Sequence, residues 1–378
     1  MPSPKRRTPK KNKKRIALLV AIVLISIVAV VCAAFLALSL RYYFLMNYEE
    51  RTQNSEGKFE IPEDELQSIL DALPTDEPFE DETQEPALPP DTGEESHPQT
   101  PQTTAPTPPS TAGEPTDEPD VDDVTNILLI GADYVGDNGL SDIMVVVSIN
   151  DTEKTVTCTS LMRDTYAYIP INQGVNKKLN AAHQLGGSEL LIATIELNFG
   201  IKIDNYIKVD FEKAVQVFDL LGGLELRIDE AEVNFIRKWE SSSTLTYDAS
   251  KADADGFITV HLDGGELRAH ARNRSTGGRG DFNRTRRQRD ILYAAFEKCK
   301  TMSVPKLATL LENILPLVTT DISYAEFMSH VLSAPSYKSY QFETFRIPCD
   351  GYWKYWKYYV VVTDLEKTME KWRDIVYN

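Results

Sequence analysis

The chain has 378 residues and a formal net charge of −17, a balance that argues against nucleic acid as a partner. Of its four cysteines, Cys32 lies inside an apolar run. Cys158, Cys299 and Cys349 are odd in number and lack metal-type spacing, so neither a disulfide framework nor a zinc centre is indicated, and pairing of two of them stays open. The charge is unevenly placed, at +9 over residues 1–48, −21 over 49–123 and −5 over 124–378, which divides the chain before any motif is considered.

Residues 1–15 carry eight lysines and arginines and no acid, and they run directly into Ile16 to Leu40, 25 residues without a charge. That length spans a bilayer. The apolar region of a cleaved signal peptide is shorter, about 7 to 15 residues, so residues 16–40 read as an uncleaved signal anchor. The basic flank places the N-terminus in the cytoplasm and everything after the span outside the cell membrane, as a single-pass protein. Tyr42, Tyr43, Phe44 and Tyr48 follow at the depth where aromatic rings settle in the interface.

Residues 41–123 read as an extracellular stalk. From Glu49 to Asp123 there are 23 acidic residues against Arg51 and Lys58, and ten prolines fall between Pro86 and Pro119. Such a composition buries no core and keeps itself extended. A short helix over Pro62 to Leu73 is the one element it suggests.

Residues 124–378 are long enough for one good-sized domain. TNILLIGADYVGDNGLSDIMVVVSIN reads as strand, loop, strand, and Lys154 to Leu161 as a third strand. A helix is expected from Ser188 to Asn198, stopped by Gly200, then a strand over Asn205 to Val209. A helix over Phe211 to Leu221, ended by Gly222 and Gly223, and a strand over Leu224 to Ile228 follow. Strands alternating with helices at this spacing predict an α/β domain, a three-layer α/β/α arrangement with a central mixed sheet and ligands at loops beyond strand ends. Near the C-terminus, GYWKYWKYYVVV reads as an aromatic strand pair packing on the sheet, with sugar stacking as the alternative.

The chemistry concentrates at residues 270–290, HARNRSTGGRGDFNRTRRQRD, where seven arginines face only Asp281 and Asp290. Asp263 caps a helix over Leu262 to Ala271, and a second helix starts near Asp281. At about 100° per residue, Asp281, Arg284 and Gln288 fall within about 60° of one another, whereas Arg286 and Arg289 point away. Planar guanidinium groups near a helix N-terminus suit phosphate oxygens, so a phosphate-rich ligand is suggested. A solvated basic helix face and a nucleic-acid patch are the alternatives. Asp133 and Asp142, nine residues apart on one loop, suit a hard divalent cation, although GAD and GLSD are also ordinary turn sequences. Arg163 and Asp164 lie just past a strand end, followed by Lys178 in KKLNAAH.

NILLIGAD, LSDIMVVVSI, SLMRDTYAYIP, KLNAAHQLGG, NYIKVDF, FDLLGGLEL and the arginine stretch occur in an order that resembles the LytR-CpsA-Psr family of cell-envelope phosphotransferases, over nearly all of residues 124–378. The resemblance implies an enzyme that takes a glycopolymer such as teichoic acid from a polyprenyl-pyrophosphate carrier. It would attach that polymer to peptidoglycan through a phosphodiester at a muramic acid 6-hydroxyl. It implies that Asp133 and Asp142 hold Mg2+ or Mn2+ or act catalytically with Arg163, Asp142 being the base. Lys178, Arg272, Arg274, Arg284 and Gln288 would surround the pyrophosphate, with Asp281 orienting the arginines. The family has arginines where this chain has Val135 and Leu140, which implies that Arg279, Arg286 or Arg287 substitutes for them, that the acceptor chemistry differs, or that the chain binds carrier lipid with weak or no transfer. Arg279, Arg286, Arg287 and Arg289 otherwise read as solvated.

Overall fold

The computed structural model describes residues 40–41, 43–51, 59–73, 124–132, 139–278 and 280–378. Residues 16–39 of the expected membrane span lie outside these. Among the described residues no helix is long and apolar enough to cross a membrane.

Strand β1 (Asn47–Tyr48) and helix α1 (Glu63–Ala72) come first, followed by an antiparallel meander of β2 (Val124–Ala132), β3 (Ser141–Asn150) and β4 (Thr155–Leu161). A small hairpin, β5 (Tyr166–Ile169) and β6 (Val175–Lys178), leads to α2 (Ala181–Phe199), β7 (Asn205–Asp210) and α3 (Phe211–Leu221). Next are β8 (Leu224–Ile228), α4 (Glu230–Trp239), β9 (Ile258–Leu262), α5 (Gly264–Arg272) and α6 (Gly280–Thr301). The chain continues through α7 (Val304–Ile314), β10 (Thr319–Thr320), α8 (Tyr324–Ser333), β11 (Gln341–Ile347), β12 (Trp353–Trp356), β13 (Tyr359–Val362) and α9 (Leu365–Tyr377). The central sheet is seven-stranded and mixed, in the order β1-β10-β7-β2-β3-β4-β11. β7 and β11 run parallel to β2 and β4 because helical crossovers return the chain to the same edge of the sheet.

Alternation of side chains along the strands gives the sheet two unlike faces. Leu128, Ile130, Met144 and Val146 point to one face and are no more than 1% exposed, because α1, α2 and α9 cover them. Trp372 of α9 crosses this layer and donates from Nε1 to Thr159 Oγ1 at 3.0 Å. The opposite face is unevenly covered: Val145 and Ile127 are buried, whereas Leu129, Ile143, Val147, Ile149, Ile207 and Val209 are only half-buried. There α6 lays Tyr293 and Phe296 on Phe342 of β11, at 5.3 and 5.4 Å between ring centres. A second core, built from β8, β9, α4 and α5, packs around Leu226, Ile228, Ile236 and Leu267 and holds Ile291 of α6.

Three expectations change. Residues 43–51 and 59–73 belong to the folded domain rather than to an extended stalk. β1 pairs with β10, Arg51 bridges to Asp321 at 2.6 Å, and Tyr206 donates to Glu49 at 2.6 Å. The helix expected from Ser188 and stopped by Gly200 begins there, but a helical segment from Ala181 that was not expected precedes it, separated by non-helical Gly186 and Gly187; the φ of 66° at Gly187 favours a residue without Cβ. The aromatic segment forms its own hairpin, β12–β13, rather than packing on the sheet. Its Trp353 ring lies 4.2 Å from that of Phe282 at the start of α6.

Candidate active site

The end of β2, the start of β3 and the end of β4 meet at one edge of the sheet. A register shift between Gly131 and Ala132 aims the chain into the loop that returns as β3. Gly131 is the residue that fits there, since a Cβ on it would lie 3.0 Å from Cβ of Ile143. Asp142 is the second residue of β3. Arg163 follows β4, where Met162 N–H donates to Ile347 O at 3.0 Å and ties the strand end to β11. Leu179 N–H donates to Thr165 O at 2.8 Å and Asn180 N–H to Arg163 O at 3.2 Å, which folds β6 back and sets Lys178 beside Arg163.

The first turns of α6 close the cluster. Arg163 hydrogen-bonds Asp142 through Nη1, and its Nε lies 3.6 Å from Asp164 and 3.7 Å from Asp281. Arg284 reaches Asp281 at 2.8 Å and Asp142 at 3.9 Å, Arg274 reaches Asp281 at 3.7 Å, and Lys178 reaches Asp164 at 3.1 Å. Four cations thus surround three carboxylates, leaving the cluster net positive. The contacts to Asp281 are close but misaligned. Both of its buried oxygens, and the buried Nε atoms of Arg163 and Arg284, lack a hydrogen-bond partner among the described residues. Unsatisfied buried donors of this kind are costly alone and are met by an anion with several oxygens.

Burial lowers the pKa of Arg284, and neighbouring Asp281 only partly offsets it. At Arg163 burial also pulls down, but Asp281, Asp164 and Asp142 together outweigh it and raise the value. Asp164 is pushed up by burial and by Asp281, against the pull of Arg163 and Lys178. Both guanidinium groups stay charged at neutral pH.

Asp142, Arg163, Lys178, Arg274, Asp281 and Arg284 are therefore brought together, and Asp164, noted in sequence only as Arg163's neighbour, links Arg163 to Lys178. Arg272 is exposed, with its guanidinium 5.0 Å from the Phe211 ring centre. Gln288 is buried and donates from Nε2 to Ala271 O at 3.2 Å, fastening α6 to the last turn of α5. Asp133, Val135 and Arg279 lie outside the described residues.

The remaining arginines differ from one another. Arg287, expected in solvent, is 1% exposed. It donates to Glu232 at 2.6 Å, to Asn273 O at 2.9 Å and to Thr276 O and Oγ1 at 2.9 and 2.6 Å, which fixes the loop carrying Arg274. Arg286 is exposed and pairs with Asp290 at 2.8 Å. Arg289 is half-buried, and burial together with nearby Arg346 lowers its pKa to about 10. Arg286 and Arg287 are thus committed to acids away from the cluster and do not replace an arginine at position 140.

Two spaces adjoin the cluster. One is the half-covered apolar face of the sheet, whose row begins at Ile143, next to Asp142. The other is a cavity of about 520 Å3 lined by Leu70, Leu140, Arg163, Lys177, Lys178 and Tyr358, among others. Sequence reasoning missed the contribution of α1 to it.

Residues 92–374 match the model of the LytR_cpsA_psr family. The chain belongs to the LytR_cpsA_psr family. Its relatives in the family include the polyisoprenyl-teichoic acid–peptidoglycan teichoic acid transferase TagU of Bacillus mycoides, 30% identical over 243 residues, 62% of this chain and 73% of TagU. TagV of Bacillus subtilis, a transferase of the same description, is 31% identical over 206 residues, 53% of this chain and 50% of TagV. The crystal structure of B. subtilis TagV superposes with a TM-score of 0.51 at 28% identity, covering 67% of this chain and 97% of that one. B. subtilis TagT with bound octaprenyl pyrophosphate lipid shares the LytR_cpsA_psr fold at a TM-score of 0.51 and 22% identity, covering 71% and 96%.

Proposed function

We propose that this chain is a membrane-anchored transferase that moves a glycopolymer from a polyprenyl-pyrophosphate carrier onto peptidoglycan. The observation that carries the reading is the net-positive set of buried Arg284, part-buried Arg163 and Lys178 and exposed Arg274, with unmet guanidinium donors on Arg163 and Arg284, at the start of a sheet face whose apolar residues are in part only half-buried. A pyrophosphate at the cluster and an isoprenoid chain along Ile143, Val147 and Leu129 would satisfy both. The relatives that are named as teichoic acid transferases, and the lipid in the TagT structure, support the same assignment.

In the reaction, a sugar hydroxyl of the acceptor attacks the phosphorus that bears the glycan. The bond from that phosphorus to the bridging oxygen breaks, polyprenyl phosphate leaves, and the new linkage is a phosphodiester. Asp142 takes the hydroxyl proton. Arg163 and Arg284, both in contact with Asp142, hold the phosphoryl oxygens and neutralise the charge that develops on them. Lys178 and the exposed Arg274 and Arg272 bind the outer oxygens. Asp281 fixes the arginine planes, and Gln288 fixes α6 against α5. The hard oxygen donor of Asp142, part-exposed and facing this cluster, fits a magnesium or manganese ion shared with Asp133, which would add positive charge against the pyrophosphate. The anchor at residues 16–40 would keep the domain on the outer face of the cell membrane.

Leu140 lines the cavity at Arg163, where an arginine would have added a ligand, and this favours one second reading, a binder of carrier lipid that transfers little. Purified protein incubated with magnesium, a lipid-pyrophosphate-linked sugar and peptidoglycan fragments distinguishes them by release of polyprenyl phosphate. Release coupled to a phosphate-linked product supports transfer. Lipid binding without product, with product appearing only in Leu140→Arg, overturns it.

A further inference from the structure

We infer that helix α7 lies on the membrane surface, with Val304, Leu311 and Phe44 seated in the lipid interface beside the point where the chain leaves the bilayer, an assignment that rests on the membrane-anchor part of the proposed function. α7 carries three leucines, one valine and one isoleucine, yet none of its residues is fully buried. Val304 and Leu311, seven residues apart, fall within about 20° of one another around the helix. They are 63% and 37% exposed, and Phe44 is 79% exposed. Lys338, just past α8, donates to Met302 O at 2.9 Å, which sets the end of α8 beside the start of α7. Leu332, near that end of α8 and 66% exposed, extends the apolar patch.

The exit of the chain commits this patch to lipid. Arg41, the first residue after the uncharged run, bridges to Glu312, the neighbour of Leu311. Tyr43 lies 5.2 Å from Tyr324 of α8 between ring centres, and Met46 is buried with Leu315, Ile322 and Phe327. Asn47 donates to Pro316 O and Val318 O at 3.1 Å each. Residues 40–41 and 43–45 are helical, so at about 1.5 Å per residue Phe44 stands about 6 Å along the axis from Leu40. The polar layer of one leaflet is about 5–8 Å thick. A span that ends at Leu40 therefore holds Phe44 and the last turn of α7 at that layer, where apolar and aromatic side chains settle.

The charges of α7 say which lipid suffices. Lys306 and Glu312 are its only charged residues, and Arg41 neutralises Glu312. Docking is therefore apolar in origin and needs no anionic headgroup. It also bears on the carrier. Ala308 of α7 and Met328 of α8 pack in one cluster with Ile207 of β7, which is in register with Leu129 of β2. The row of half-buried apolar side chains proposed for the isoprenoid thus has its Ile207 end under the helix pair that faces the bilayer.

The test uses the full chain in phosphatidylcholine nanodiscs that hold one chain each, with a nitroxide on a single cysteine and depth read from collisions with oxygen and with an aqueous nickel chelate. The label is placed by Phe44→Cys, Val304→Cys and Leu311→Cys, and for comparison by Arg373→Cys, an exposed position of α9 on the other side of the sheet. The background is Cys32→Ala and Cys299→Ser, since Cys158 and Cys349 are buried. Labels at Phe44, Val304 and Leu311 should read about 5–10 Å into the headgroup and acyl boundary, at low and high salt alike, and the label at Arg373 should read water. Readings at Val304 and Leu311 as aqueous as that at Arg373 overturn the inference. Protection of these positions in detergent-solubilised oligomers but not in nanodiscs also overturns it, because it gives the face to a second copy of the chain. If the thermal melt of Leu311→Cys shows a misfolded protein, Val304→Cys decides, as the more exposed position. A label on native Cys32 tells the two failures apart. Cys32 at bilayer depth with Val304 and Leu311 in water sinks the docking alone, whereas Cys32 in water sinks the anchor and the docking with it.

Discussion

Replacing Arg287 with methionine should destabilise the domain far more than its position in an arginine-rich surface helix suggests. The side chain is 1% exposed and its partner Glu232 is 2% exposed, with 2.6 Å between them. Removing the guanidinium leaves Glu232 buried with only Arg286, 3.6 Å away at the exposed rim, and strands the carbonyls of Asn273 and Thr276. Breaking a buried pair in this way costs about 3–5 kcal/mol. At about 2–4 °C per kcal/mol for a domain of this size, the melting temperature should fall by roughly 6–20 °C. The double variant Arg287→Met/Glu232→Gln should recover much of that loss. Glutamine removes the stranded charge and keeps an acceptor for Asp229 N–H, which now donates to Glu232 at 3.2 Å. Thermal and urea unfolding of the wild type, both single variants and the double variant complete a cycle whose coupling term isolates the pair. A single-variant loss below about 1 kcal/mol, or a double variant no more stable than Arg287→Met, would refute a buried pair.

Arg284→Ala should weaken binding of a polyprenyl-pyrophosphate lipid by roughly 10- to 150-fold, the equivalent of one charged hydrogen bond at about 1.5–3 kcal/mol, whereas Arg272→Ala, at an exposed position, should cost less. Equal losses measured by calorimetry would contradict the cluster geometry. His270 has its pKa lowered to about 3, first by burial and then by Arg287 and Arg286. The unfolded chain therefore binds a proton near pH 6.5 that the folded chain refuses. The stability His270 contributes is complete above that pH and falls by about 2 kcal/mol between pH 6.5 and 5. His270→Gln should flatten that part of the stability curve, and an unchanged slope would remove His270 as its cause. Burial pushes the Cys158 thiol up to about 12, so iodoacetamide should label it only when the domain unfolds, as mass spectrometry of the native and urea-treated protein would report.

The strands were legible because short runs of Val, Ile and Leu bounded by Gly, Asp and Asn have few alternatives, and Phe211–Leu221 could be placed to the residue because a cap and two glycines enclose it. The arginines were only partly legible. Arg284 and Arg287 sit three residues apart on the same side of α6, and helical geometry treats them alike. They differ because Glu232, 55 positions before Arg287, lies under one of them and not the other, which no local pattern encodes. Helix α1 was foreseen as an element and missed as a packing partner, because the surrounding acidity dominated its composition. The available signal was Leu66, Ile69, Leu70 and Leu73, spaced as one face of a helix.

The attachment of residues 43–51 and 59–73 changes what the proline-rich stretch can do. Both of its ends are joined to packed elements, α1 before it and β2 after it, so residues 74–123 lie in chain order between two elements of the domain and not between residues 16–40 and the domain. If residues 16–40 span a bilayer, only a few residues separate the lipid from β1 at the sheet edge, and the domain is held at a short, fixed height. Under the transfer reading, its search for a membrane-borne carrier would then be two-dimensional, with the Arg163–Arg284 cluster kept within reach of headgroups, and the peptidoglycan strand would be the partner that has to come down to the surface.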